Sequence, residues 1–206
     1  MSEEFSIRMK DADGLVPPAS LFAPRPDKKG PKTIAILLIL GALTMGWTSY
    51  GYIQLSFADD ISQNELDKIL TTVRDSGENI TDEEYQDFHD EARDGGAYAL
   101  RGWSVMVGSI LIILGGVLLF KLNIHGPKFA LLGSGIAAIG GLYSNWMTYQ
   151  LSEEMLPPAL ILVNKIFGFL CGFCMVICAS LAALPLFNTA ARAALGQKVT
   201  LVTEEE

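Results

Sequence analysis

Between Ala130 and Thr148 the sequence contains no charged side chain, and its small residues recur at the spacing of a helix. The small residues that fall on one face of such a helix are Gly133, Ala137, Gly140, Ser144 and Thr148. A helix with an apolar circumference and one small-residue face is typical of a membrane helix that packs closely against its neighbours. This run therefore predicts the centre of a helical bundle in a membrane.

Three further apolar runs have a similar length. A hydrocarbon core about 30 Å thick requires about 20 apolar residues as a helix, and the four runs that meet this length are 33–57, 101–120, 128–149 and 166–187. Half of the residues are hydrophobic and only 18% are charged, which excludes an ordinary soluble globular protein. We expect an all-α integral membrane protein in which residues 33–188 form a four-transmembrane-helix bundle.

The basic residues predict how the bundle is oriented. Ten of the fifteen Lys and Arg residues lie in the two terminal segments or in the connection between the second and third runs. Cytoplasmic segments carry an excess of Lys and Arg. The N-terminal tail, 1–32, is therefore predicted to be flexible and cytoplasmic, and the C-terminal tail, 189–206, to be cytoplasmic as well.

The segment between the first two runs, residues 58–98, is predicted to lie outside the cytoplasm, and we call it the insert. It contains thirteen acidic residues against three basic ones. Ser62 with Glu65 and Thr81 with Glu84 have the spacing of capping boxes, which predicts two short helices. Both helices have an apolar face, so we expect an acidic helical hairpin with one buried seam.

Clustered carboxylates are typical of calcium sites, but the residue spacing in the insert does not match that of an EF-hand loop. Counted from Asp75, the closing position of an EF-hand loop is Gln86, and counted from Asp90 it is Arg101. We therefore expect a solvated acidic surface, with no metal site and no cofactor. Asn79-Ile-Thr81 is an N-glycosylation tripeptide, so Asn79 is a candidate for modification.

Polar residues on the packing faces are predicted to meet near the external surface. They are Ser49, Arg101, Ser104, Ser144, Thr148 and Asn164. Polar groups between membrane helices bond to one another or to water. Two interpretations remain open: a plug of interhelical hydrogen bonds, or an external-facing pocket in which Arg101 attracts an anionic group.

All three cysteines lie in the fourth run, at Cys171, Cys174 and Cys178. On one helical face they act most simply as small packing residues. Four spans, a large first external segment and Cys171-Gly-Phe-Cys174 in the fourth span are similar in outline to the vitamin K epoxide reductase family. That resemblance implies a redox pair, Cys171 and Cys174, acting on a quinone.

The function that the sequence favours is that of a non-catalytic multi-pass membrane protein, an accessory, assembly or interaction subunit whose acidic hairpin meets a partner. We expect the lipid bilayer and another membrane protein as partners. We expect no binding of nucleic acid. The alternatives are a small channel or transporter, and a membrane thiol-quinone oxidoreductase.

Overall fold

The computed structural model describes residues 25–75 and 77–196, and within these ranges the chain forms helices and turns but no strand. Most of the two predicted tails, residues 1–24 and 197–206, lies outside the described residues. The helices are α1 (Lys29–Leu55), α2 (Gln63–Asp75), α3 (Asp82–Asp94), α4 (Ala97–Phe120), α5 (His125–Met155), α6 (Pro158–Phe187) and α7 (Thr189–Ala194).

Three of these helices, α1, α4 and α6, are long and apolar enough to cross a membrane. The helix α1 begins one turn before the predicted run, because the Asp27 carboxylate accepts hydrogen bonds from the backbone N–H groups of Lys29 and Gly30 at 2.9 and 3.1 Å. The helix α6 begins at Pro158, since a proline at the first helical position has no N–H group to leave unbonded.

The four long helices pack side by side, with α4 against α1 and α5, and α6 against α5 and α1. The closest approach is between α4 and α5, where a Cβ atom added to Gly133 would lie 2.6 Å from the carbonyl oxygen of Gly108. At the far end of the same pair, a Cβ atom on Gly115 would lie 2.7 Å from the carbonyl oxygen of Gly126. The small-residue face predicted for the third run is therefore a contact face, where glycine lets two backbones approach.

The insert begins after α1 and contains the helices α2 and α3. The helix α3 has the capping box predicted from Thr81 and Glu84, with both reciprocal bonds present. At α2 the Ser62 hydroxyl instead donates to the Glu65 carboxylate at 3.2 Å, so this pair bonds side chain to side chain. An ion pair of 2.7 Å between Arg74 and Asp82 joins the end of α2 to the start of α3.

The buried apolar residues of α2 and α3 pack against the turn between α5 and α6. Leu66, Leu70 and Phe88 from the insert are buried in one cluster with Leu156 and Leu160. The sequence pattern predicted the seam within the hairpin but not this extension. The insert therefore covers one end of the α5–α6 pair, and we call this the insert end of the long helices.

Candidate functional site

Ser144 connects two helices through its hydroxyl. This group is buried and donates to the carbonyl oxygen of Ala97, in the first turn of α4, at 2.8 Å. One turn further along α5, the Thr148 hydroxyl donates to the carbonyl oxygen of Ser144 at 3.0 Å. Ser144 and Thr148 therefore form one connected pair among the predicted polar residues.

Ser49 and Ser104 bond mainly within their own helices. The Ser49 hydroxyl is buried and donates to the carbonyl oxygen of Gly46 at 2.8 Å, with the Met106 sulfur at 3.8 Å. The Ser104 hydroxyl donates to the carbonyl oxygen of Arg101 at 3.3 Å, and its side chain faces Gly140 on α5. Both residues lie at contacts between helices, and their hydroxyls are directed to backbone oxygen atoms.

Arg101 is directed toward α1 and Asn164 lies on α6. The guanidinium carbon of Arg101 is 4.5 Å from the centre of the Tyr52 ring, a cation–π distance. Asn164 is half-buried on α6. The external-facing pocket that would combine these two residues with the hydroxyls stays a prediction.

Asn145 is a polar interface residue that the sequence analysis did not single out. Its side chain lies on Gly168 of α6, where a Cβ atom would overlap the amide group. Gly168 therefore provides the space for this side chain. A signal was available, because Asn145 follows Ser144 directly and a polar side chain in an apolar helix is by default of interest.

The three cysteines are free thiols on α6 and differ in their surroundings. Cys171 is half-buried and packs against the cluster of Val105, Ala137 and Met175. Cys174 is exposed on the outer surface of the helix. Cys178 faces Gly41 on α1, with its sulfur at ordinary van der Waals distance from a Cβ atom placed there. Two of the three thus have packing contacts, and a redox role for Cys171 and Cys174 stays a prediction.

An apolar groove of about 170 Å³ separates α5 from α6 on the outer surface. Leu131, Gly135 and Gly172 are among its lining residues. The hydroxyl of Ser134, its polar lining residue, donates to the carbonyl oxygen of Leu131 at 3.0 Å. The groove is therefore distinct in chemistry from the polar residues described above.

The predicted glycosylation tripeptide lies at the start of α3. Asn79 is exposed. The Thr81 hydroxyl accepts a hydrogen bond from the Glu84 N–H group at 3.1 Å and is therefore the helix cap. Whether Asn79 is modified stays a prediction.

Where the insert meets the ends of α1 and α4, one arginine and four ring-bearing side chains gather. We call this group the aromatic junction: Tyr52, Tyr85, His89, Tyr98 and Arg101. The rings of His89 and Tyr98 have centroids 5.2 Å apart, and those of Tyr52 and Tyr98 are 6.3 Å apart. Burial and the nearby Tyr52 raise the pKa of the Tyr85 phenol above its usual range. The junction thus joins α3 to both long helices.

Arg93 fixes α3 to the chain that leaves α1. Its guanidinium donates to the carbonyl oxygens of Ala58 and Asp59 at 3.0 and 2.7 Å. It also pairs with Asp90 at 3.1 Å and with Asp94 at 3.0 Å. These contacts hold the C-terminal end of α3 to the start of the insert.

Two carboxylates at the start of α3 are held in their charged form. Hydrogen bonds from Arg74 and Gln63 lower the pKa of Asp82, and hydrogen bonds from the backbone and side chain of Thr81 lower the pKa of Glu84. Across residues 25–75 and 77–196, no three His, Cys, Asp or Glu side chains group together as metal ligands would.

No protein-family model, curated protein or solved structure matches this chain.

Proposed function

We propose that this chain is a non-catalytic multi-pass membrane protein that acts as an accessory, assembly or interaction subunit, and that the exposed acidic face of its insert binds a cationic surface of a partner membrane protein. The observation that carries the proposal is the division of the insert into two faces. Most of its large apolar side chains are buried in the cluster with Leu156 and Leu160, whereas most of its carboxylates remain exposed. A folded, docked element with one charged face suits recognition by charge.

The proposed topology has four spans, with α5 as the fourth beside α1, α4 and α6. Support comes from the length of α5 and from its contact with α4, where glycines on both helices permit close packing. With Lys and Arg concentrated in the terminal segments and the 121–128 connection, both termini are cytoplasmic and the insert is extracytoplasmic.

The partner's chemistry follows from the exposed stripe on α3. Glu83, Asp87 and Glu91 are spaced by four residues, which places them on one helical face, and all three are exposed. A stripe of one sign favours a partner with Lys or Arg at matching spacing. Because exposed charges are screened by salt, binding of this kind weakens as ionic strength rises.

The experiment is co-purification of the full-length chain from native membranes in mild detergent, with identification of the bound chains. Charge reversal at the stripe, E83K/D87K/E91K, is expected to reduce recovery of the specific partner by about tenfold or more, since like charges at an interface repel. The matched control is E204K/E205K/E206K, which makes the same change in net charge outside the insert.

Equal loss of the partner in both triple variants would contradict the proposal, because net charge and not the α3 stripe would then decide binding. Recovery that is unaffected by the α3 variant would contradict it as well. A circular dichroism spectrum identical to that of the parent chain verifies that α3 is still folded.

A further inference from the structure

The groove between α5 and α6 offers open space with an apolar lining. On α5, Gly135 is exposed, and a Cβ atom added to it would have nothing within 4 Å. On α6, a Cβ atom at Gly172 would meet the Leu142 side chain at 3.5 Å, an ordinary contact distance. The Ser134 hydroxyl is already bonded to the carbonyl oxygen of Leu131. The groove is therefore suited to van der Waals contact with an apolar ligand.

The dimensions of the groove suit one hydrocarbon chain. Its lining residues extend from 131 to 142 on α5 and from 172 to 179 on α6, which correspond to lengths of roughly 16 and 10 Å at the rise of an α-helix. A volume of about 170 Å³ over such a length is a slot narrower than a helix, whose diameter with side chains is about 10–12 Å. Leu142 and Val176 stand at its sides and are 55% and 63% exposed, so a second helix would rest on them and leave the slot open.

Lys128 lies on the side of α5 that carries the groove. It precedes Leu131 by three residues and Gly135 by seven, and these spacings place the three side chains on one helical face. The Lys128 side chain is exposed and has no ion pair with any of the described residues. A free ammonium group therefore lies about one helical turn from the near end of the groove.

The charges around Lys128 favour an anionic ligand. This end of the long helices, opposite the insert end, contains the described residues 25–32, 121–128 and 188–196. The acidic residue in these segments is Asp27, and its carboxylate already accepts hydrogen bonds from the N–H groups of Lys29 and Gly30. Basic sites beside membrane helices bind the head groups of anionic lipids.

We propose that the groove is a binding site for an anionic phospholipid, with one acyl chain between α5 and α6 and the phosphate group at Lys128. The inference rests on the proposed topology, in which α5 crosses the membrane beside α6, and it is independent of any partner at the acidic stripe. In the proposed orientation Lys128 faces the cytoplasmic leaflet, where anionic lipids are concentrated.

The experiment is native mass spectrometry of the full-length protein in mild detergent, titrated with phosphatidylglycerol and with phosphatidylcholine of the same acyl chains. The parent chain is expected to bind the first phosphatidylglycerol more tightly than the first phosphatidylcholine. Lys128→Gln is expected to reduce this preference by about fivefold, the effect of one Lys near an anionic lipid. Lys121→Gln, at the same end but on the chain after α4, is the matched control and is expected to keep the preference.

Gly135→Leu fills the groove without a clash, because a Cβ atom there meets open space. It is expected to weaken the binding of the first molecule of either lipid by about tenfold, since its side chain takes the place of about two methylene groups of the acyl chain. Gly51→Leu adds the same side chain to open space on α1 and is the matched control, with lipid binding expected to match that of the parent chain.

Unchanged lipid affinity in a folded Gly135→Leu variant, or an unchanged preference in Lys128→Gln, would overturn the proposal. A parent dimer that Gly135→Leu converts to a monomer, with lipid binding intact, would overturn it as well and would assign the groove to a second copy of the chain.

An impermeant maleimide on intact cells separates failure of the lipid site from failure of the topology. If Ser62→Cys and Thr200→Cys are both labelled, α5 does not cross the membrane, and the lipid site fails together with the proposed topology. If Ser62→Cys alone is labelled and the groove variants still bind lipid as the parent chain does, the lipid site alone is wrong.

Discussion

At the scale of single residues, two glycines on the same helix offer a direct test of how α4 and α5 approach. A Cβ atom on Gly133 would lie 2.6 Å from the carbonyl oxygen of Gly108, but one on Gly135 has nothing within 4 Å. Gly133→Ala is therefore expected to destabilise the bundle by about 1–3 kcal/mol through overpacking. Gly135→Ala gains the same helix propensity without the clash and should be neutral or slightly stabilising.

Thermal unfolding in detergent, followed by circular dichroism, measures the comparison. If the two variants unfold at the same temperature, the α4–α5 contact has room for a methyl group and the close approach is not structurally required.

The residue scale also shows what sequence reasoning can and cannot detect. Gly133 and Gly140 were identified as contact residues, because spacing on a helix specifies a face without any knowledge of the partner. His89 was not identified, since a lone histidine among acidic residues resembles a solvated one. Its burial depends on Tyr98 and on the docking of α3, and neither can be read from local pattern.

At the scale of elements, the first turn of α3 is stabilised by a capping box and by an ion pair of Asp82 with Arg74. Hydrogen bonds lower the pKa of Asp82 and Glu84, so their stabilising effect is present above the pKa values of the unfolded chain and is lost as pH falls through the lower, folded values. The helicity of the insert is therefore expected to decrease below about pH 4.

Circular dichroism of the parent chain and of Thr81→Ala measures this effect. The variant lacks the cap and is expected to lose about 1 kcal/mol of stability at neutral pH and to respond less to acid. Thr81→Ser keeps the hydroxyl and serves as the control. An acid transition of the same size in Thr81→Ala would show that the capping box is not its origin.

Element boundaries were predictable where a local chemical signal marked them. Thr81 with Glu84 marked the start of α3. The docking of the insert onto Leu156 and Leu160 was not predictable, because these residues are far from the insert in sequence. A hydrophobic helix face indicates that another element covers it, but the local sequence does not identify that element.

At the scale of the whole molecule, the prediction concerns orientation. Single cysteines at Ser62 and at Thr200, each in a background without the three native cysteines, are expected to differ in reaction with a membrane-impermeant maleimide on intact cells. Ser62→Cys should be labelled and Thr200→Cys should not, because Lys and Arg are concentrated beside the termini. Permeabilised cells, in which both sites should react, provide the control. The reverse pattern would contradict the proposed topology.

The buried cluster that joins the insert to the α5–α6 turn also has a consequence for biogenesis. The ribosome completes Leu66, Leu70 and Phe88 long before it reaches Leu156 and Leu160, yet all five residues belong to one cluster. During synthesis the apolar face of the insert therefore stays exposed until Leu156 and Leu160 have been made. Nascent chains with exposed apolar surface bind chaperones or aggregate. Because Leu160 of α6 belongs to this cluster, a chain truncated before α6 is expected to leave part of the apolar surface of the insert uncovered.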